Sequence, residues 1–443
     1  MTATIDPVLV PATLRGDGDG ETYSILPPRN NDSAGGLLSV QRDLRALDGA
    51  ALKATWDARL GSREFPYRSG VWRYRELIAP FPDDDIVSAP EGNTNLYCGE
   101  GINRCPGCRV MGCKLANYAG VERVAIKHEG ENPSASFKDR GMTAAISHAR
   151  HAGATTAACA STGNTSASLA AYAAKAGMRA LVFVPDGKIT SGKLGQTMAY
   201  GAQVVRIRGD FDAALDLVQQ VAASLPVFLA NNINPFRLEG QKTIAFELLQ
   251  QRGWKAPDWL VLPGGNLGNT SALGKGFLEL YDLGIIDRVP RFATIQAAGA
   301  SPFARWFAAG FDHYEPMQAE TLASAIRIGN PVSRHRARKI IERTDGVSIA
   351  VSDEAILDAK RVIDMVGIGC EPASATTLAG IRELRLQGII APDADIVGIL
   401  TGHVLKDAEA TARIHLDGPT ARPPIVIDPS LAAVERLLES GNG

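Results

Sequence analysis

The stretch Glu131-Asn132-Pro133-Ser134-Ala135-Ser136-Phe137-Lys138-Asp139-Arg140-Gly141-Met142 decides how this 443-residue chain is read. A strand-like run, residues 121–127, leads into it. Pro133 and the small polar residues make a turn. Ser136 is placed to cap a helix, and an Ala-rich helical stretch follows from about Gly141. Lys138 then sits at the mouth of a helix, whose positive end disfavours an ammonium. A lysine kept neutral is a nucleophile or base and condenses with aldehydes. Taken alone, such a lysine is most often a surface residue snorkelling from a helix end. Further stretches downstream change that reading.

Around this centre the strand–turn–helix pattern repeats. Strands are expected at 156–160, 180–184, 203–206, 227–230, 259–262, 291–297 and 395–400, with Ala- and Leu-rich helices between them. The alternation predicts an α/β chain with largely parallel sheets covered on both faces. Ligands then bind beyond the carboxyl ends of the strands. Residues 1–35, rich in Pro, Asp, Gly and Asn, read as a poorly ordered arm able to pair with a sheet edge. Residues 37–60 read as one or two helices. Asp83-Asp84-Asp85 reads as a solvated face.

Whole-chain values narrow the function. Apolar residues make up 45% and charged residues 21%, with net charge −2, so neither nucleic acid nor an anionic membrane is an expected partner. The long uncharged run 152–174 is broken by Ser, Thr, Asn and Gly and reads as buried α/β structure, not a membrane span. No basic-then-apolar signal opens the chain, so the expected compartment is the cytoplasm.

Four strand-end motifs carry chemistry. Ser161-Thr162-Gly163-Asn164-Thr165 opens a helix with amides and hydroxyls suited to a carboxylate or phosphate. Asn164 can also bond a phenolic oxygen. A plain capped helix start is the alternative. Gly264-Gly265-Asn266-Leu267-Gly268-Asn269 can ring a phosphate with amides, or simply be a tight turn. Thr401-Gly402-His403 ends the last strand, where a hydroxyl can meet a ring nitrogen. Asn231, Asn232 and Arg237 form a third anion grip, unless Arg237 is a surface residue paired with Glu239. Together, a lysine, anion cradles and a ring-nitrogen partner match two phosphates and one aldehyde.

At these residues the chain resembles the threonine synthase family, pyridoxal-phosphate enzymes of the β-family or fold type II (tryptophan synthase β-like). The match runs over about residues 36–407. It includes Glu91-Gly92-Asn93-Thr94, residues 325–331 and Glu371-Pro372-Ala373-Ser374. The resemblance implies two mostly parallel α/β domains with an N-terminal extension. It divides the chain into an arm and helices (1–90), a large cofactor-binding domain (91–130 and 240–415), a small mobile domain (131–239) and a tail (416–443). Lys138 would carry pyridoxal 5′-phosphate as a Schiff base. Asn164 would face the ring O3′, Gly264 to Asn269 would cradle the cofactor phosphate, and Thr401 would meet the ring nitrogen. A phosphorylated amino-acid substrate would be held by Ser161, Thr162, Thr165, Lys193, Asn231, Asn232 and Arg237, with Asn266 beside them. The implied reaction turns O-phospho-L-homoserine and water into L-threonine and phosphate. A homodimer stays an open expectation.

The chain departs from the family at its cysteines. Four of its six, Cys98, Cys105, Cys108 and Cys113, fall within sixteen residues just before the lysine motif. Four thiolates suit Zn²⁺ or an iron–sulfur cluster. The spacing is not that of a standard finger, and reduced thiols without metal remain the rival reading. Two other functions compete. One is a paralogue doing a cysteate-synthase-like reaction on phosphoserine, or serine/threonine dehydration. The other is a non-catalytic metal- or redox-responsive protein built on the cysteines.

Overall fold

The structure, a computed structural model, describes residues 9–97, 106–186, 191–209, 211–418, 421 and 424–440. The side chains of 106–112, 191–193, 211, 212 and 440 fall outside that description. By their contacts, Met1–Lys406 form one compact unit and Asp407–Gly443 another. The second unit contains the helices Ala408–His415 and Leu431–Ser440.

Strands β1 (Thr13–Gly16), β2 (Thr22–Tyr23) and β3 (Leu38–Gln41) form an antiparallel sheet of order β2-β1-β3. This corrects the expected loose arm, and it replaces the first part of the helix expected from residue 37. The polar composition concealed it. The buried Asp32 carboxylate accepts from the amides of Gly18 and Gly36, 2.7 and 2.6 Å away, and so knots a Gly-rich loop that would otherwise be open. Leu14, Leu38 and Val40 then pack on Trp72, Ile78 and Phe81. Farther on, Gly49–Ala58 is helical as expected.

Strands β4 (Leu96–Tyr97) and β5 (Ala125–His128) begin the largest sheet. The chain then leaves it for β6 (Thr156–Ala160), β7 (Arg179–Pro185), β8 (Gln203–Ile207) and β9 (Phe228–Leu229), a parallel sheet of order β8-β7-β6-β9. It returns with β10 (Trp259–Pro263), β11 (Arg291–Ala297), β12 (Val347–Val351) and β13 (Ile396–Leu400), giving the order β12-β11-β10-β13-β5-β4. Among the described residues, only β4 runs antiparallel there. The sequence reading missed β12, whose Val-Ser-Ile-Ala-Val alternation is short and only half-buried.

Alternation puts successive side chains on opposite faces, and both faces are covered. Leu260, Leu262, Phe292 and Ile399 meet Ile244, Phe246 and Phe277 on one side. Val261, Ala293, Ile295 and Leu400 meet Leu378, Ile381 and Ile356 on the other. Each such buried Leu, Ile or Phe contributes about 1.5–3 kcal/mol. Among the described residues, no helix is long and apolar enough to cross a membrane.

Candidate active site

The register fixes where the site lies. His128 of β5 pairs with Leu400 of β13, and β13 runs parallel beside β10. Three neighbouring strands therefore release their chains at one edge, into the Lys138 turn, the Thr401 loop and the Gly264 loop. In the smaller sheet β6 and β9 are neighbours, so Ser161 and Asn231 likewise leave the same edge.

Lys138 is the first residue of the helix Lys138–His151. The helix starts three residues earlier than expected. Ser136 does not cap it: Phe137 occupies the cap position without a side-chain bond, and the buried Ser136 hydroxyl has no partner. The turn is instead tied to the Thr401 loop. The amide of Phe137 donates to the Thr401 carbonyl at 3.0 Å, and that of His403 to Ala135 at 3.1 Å. Asp139 closes the turn from inside, accepting from the amide and hydroxyl of Ser134, each at 2.6 Å, and from the Ser168 hydroxyl at 2.5 Å. Burial pushes the Asp139 carboxyl up to about 6.

Burial, with the Arg237 guanidinium adding to it and Glu371 opposing, brings the Lys138 amine down to about 7. Desolvation is thus the leading cause. The Lys138 Nζ lies 4.1 Å from the Phe137 ring centroid.

Arg237 lies on the short helix Pro235–Gln241 and is 1% exposed. The pairing with Glu239 does not form. Glu239 binds Arg42 and Lys242, both at 2.7 Å, and also Lys275. Arg237 Nη1 donates to the Ala230 carbonyl at 3.2 Å, while Nε and Nη2 are buried without a partner. Burial lowers this guanidinium to about 10. A buried cation with two unused donors is costly unless an anion meets it.

Gly264 bonds through its amide to the Ile295 carbonyl at 2.6 Å. A Cβ there would fall 2.6 Å from Thr294 Cγ2, so only glycine allows this approach. Leu267 is held left-handed at φ +62° just before the helix Gly268–Asp282. Such a backbone costs about 1–3 kcal/mol and clusters at ligand clamps. Both polar ends of the Asn269 amide are buried and unpartnered. Asn266 is engaged elsewhere, its Oδ1 accepting from Val332 at 2.7 Å. The exposed Arg327 follows Ile326, which lies against Gly265.

Asn164 is the first residue of the helix Asn164–Lys175, and Gly163 makes no side-chain cap. Its Nδ2 donates to Glu371 at 2.9 Å. Thr401 is buried, and its hydroxyl meets Ser374 at 2.9 Å and Glu371 at 3.1 Å. Ser161, Thr162 and Thr165 stand half-buried at the same edge. Asn231 is used structurally, its amide bonding the Ala160 amide and carbonyl at 3.0 and 3.1 Å. Asn232 reaches toward the Ser333 hydroxyl at 3.4 Å. Lys193 falls on the helix Ser191–Ala199, but its side chain lies outside the described residues.

Glu371 escaped the sequence reading as a site residue. The available signal was an acid directly before Pro372, at a helix start that it does not cap. Of the cysteine cluster, Cys98 and Cys105 lie outside the described residues, as does the Cys108 side chain, and Cys113 is exposed. Among the described residues no group of His, Cys, Asp or Glu is arranged to hold a metal ion.

The fold and site define a class. Residues 113–402 match the family described as pyridoxal-phosphate dependent enzyme. In three dimensions the chain resembles diaminopropionate ammonia lyase from Escherichia coli, with TM-score 0.61, 17% identity, and coverage of 76% of this chain and 91% of that one. It also resembles processed threonine deaminase isoform 2 from Solanum lycopersicum, with TM-score 0.58, 18% identity and coverage of 84% and 94%. The chain therefore belongs to the pyridoxal-phosphate-dependent enzymes of fold type II.

Within that class, sequence similarity is narrower. Threonine synthase of Methanocaldococcus jannaschii is 42% identical over 95% of this chain and 98% of its own. Threonine synthase 2, chloroplastic, of Arabidopsis thaliana is 37% identical over 95% and 82%. Threonine synthase of Mycobacterium tuberculosis is 40% identical over 84% and 96%. The chain is a member of the threonine synthase family.

Proposed function

We propose that the protein converts O-phospho-L-homoserine and water to L-threonine and phosphate. The observation that carries this reading is Arg237: a buried guanidinium with unpartnered Nε and Nη2, close enough to Lys138 to depress its amine. An eliminated phosphate answers that unmet charge; a departing hydroxide does not need it.

The residues present fit the cofactor. Lys138 would hold the aldehyde carbon. The left-handed Leu267 turn and the unpartnered Asn269 suit the cofactor phosphate, Thr401 the ring nitrogen and Asn164 the O3′. Pyridoxal phosphate, when bound, supplies a ring that takes up the charge of a deprotonated carbon. Freed when the substrate amine takes its place, Lys138 Nζ, lowered to about 7, would take the proton from substrate Cα, next one from Cβ, deliver a proton to Cγ as phosphate departs, and finally return one to Cα once water has added its hydroxyl at Cβ. Arg237 binds the phosphate as it leaves Cγ, with Thr165 and Asn232 beside it. Ser161 and Thr162 with the amides after them hold the substrate carboxylate. Closing residues 131–239 over the large cofactor-binding domain would exclude water until Cβ is ready to receive it.

The test is a phosphate and threonine assay with O-phospho-L-homoserine, run beside the visible spectrum. Phosphate and threonine formed in equal amounts support the reading. A Schiff-base spectrum with no phosphate release, and keto acid formed from threonine instead, would favour the dehydratase. A cytoplasmic location and a homodimer complete the proposal. Metal at the cysteine cluster, Zn²⁺ or iron–sulfur, is a separate reading, decided by elemental analysis of purified protein.

A further inference from the structure

Glu371 is buried, 5% exposed, and connects the two side chains that the proposed function assigns to the cofactor's ring nitrogen and O3′. One carboxylate oxygen accepts from Asn164 Nδ2 at 2.9 Å and the other from the Thr401 hydroxyl at 3.1 Å. The space for it is reserved: a Cβ on Gly402 would lie 2.5 Å from the Glu371 carboxyl carbon.

Hydrogen-bond accounting fixes the direction of each bond. The Ser374 hydroxyl oxygen accepts from the amides of Thr401, at 2.7 Å, and Gly402, at 3.0 Å. Its lone pairs are then used, so its proton is donated, and of the two acceptors in reach the Thr401 oxygen at 2.9 Å is much closer than the Gly402 carbonyl at 3.4 Å. Thr401 therefore accepts from Ser374. When Glu371 is ionised it takes the Thr401 proton, and Thr401 has one lone pair left. When Glu371 is protonated it donates to Thr401, and the Thr401 proton is free to turn elsewhere.

We propose that Glu371 is a positioning residue that sets, through the Thr401 hydroxyl, whether the cofactor's ring nitrogen is offered a lone pair or a proton donor. This rests on the reading that Thr401 meets that nitrogen. A carboxylate gives the ring an acceptor, which favours its protonated form; a carboxylic acid gives it a donor, which favours the neutral form. No net chemistry is needed, only reorientation of one O–H. Burial raises the Glu371 carboxyl above its ordinary range, with the bonds from Asn164 and Thr401 opposing it. The titratable groups facing it are Lys138, Lys406 and the neighbouring Cys370.

The experiment uses holoenzyme reconstituted with pyridoxal phosphate carrying ¹⁵N in the ring, without substrate. In wild type the ring-nitrogen resonance should show a titration step at a pH above the ordinary carboxylate range. In E371Q, which keeps the shape but not the charge, that step should be lost, with cofactor Kd within about threefold of wild type. E371A should weaken cofactor binding about tenfold, as expected for loss of hydrogen bonds to a charged group. A ring nitrogen that follows the same pH course in wild type and E371Q overturns the proposal and leaves Glu371 a packing residue. A wild type that forms no Schiff base at all overturns the functional reading, and this proposal falls with it.

Discussion

Arg140 and Glu247 are 107 residues apart in the chain, yet the Arg140 Nη2 lies 2.8 Å from a Glu247 oxygen, with both side chains at most 1% exposed. Arg140 comes two residues after Lys138 and also grips Glu129 through Nε at 2.6 Å. Glu247 in turn holds Lys127 at 2.6 Å and accepts from the amides of Asn93 and Thr94, at 2.8 and 3.0 Å. The helix start bearing Lys138 is thus bolted to β5 and to the helix Thr243–Gln251 by charges that water cannot reach.

Removing Arg140 takes the ion pair away from buried Glu129, and removing the Glu247 charge takes it away from buried Lys127. R140M or E247Q should each cost about 3–5 kcal/mol of stability, read as a fall in the urea midpoint of the holoenzyme. Burial works to raise the Glu247 carboxyl, and Arg140 and Lys127 overcome it, holding it below its ordinary range. The sign follows: this stabilisation is present above the unfolded carboxylate pKa of about 4.3 and is lost as pH falls through the lower folded value. E247Q should therefore unfold with a weaker acid dependence than wild type.

Lys138 offers a kinetic test. With its amine near 7, the nucleophilic neutral form dominates above that pH. The rate at which apoprotein forms a Schiff base with pyridoxal phosphate should rise through about pH 7 and then level. A rise that continues toward the ordinary lysine pKa of about 10.4 would refute the depression. K138A should show neither the absorbance nor phosphate release.

Arg237 should matter to the phosphate and not to the cofactor. R237M should lower kcat/KM for O-phospho-L-homoserine about 10–100-fold, the worth of a charge-assisted bond. Inhibition by inorganic phosphate should weaken in parallel, while the resting Schiff-base absorbance stays. Loss of that absorbance would show that Arg237 serves the cofactor instead.

Gly264 tests the proposed cradle. G264A sets a Cβ against Thr294 at 2.6 Å, and the loop must shift to relieve it. Cofactor affinity should fall by about tenfold, the equivalent of about 1.4 kcal/mol within the usual cost of overpacking. Equilibrium dialysis of pyridoxal phosphate against the variant would measure it. Unchanged affinity would place the cofactor phosphate away from this loop.

The alternating pattern of apolar runs and polar turns was enough to place β6 and β11 to the residue and β7, β8, β9, β10 and β13 to within one. It also marked the strand-end loops, because a parallel sheet must be apolar within and can only be polar where the chain leaves it. Lys138, Gly264 and Thr401 were legible for that reason. What the linear chain could not show is which partners distant residues find. The β1–β3 sheet depends on Asp32 reaching back to Gly18. Glu239 abandons its neighbour Arg237 for Arg42, almost two hundred residues away, and so leaves Arg237 a bare cation. Glu371 gains its place only because β13 ends beside it. Local sequence sets propensity and period; desolvation and hydrogen-bond satisfaction are decided by neighbours in space, and those exist only once the sheets have packed.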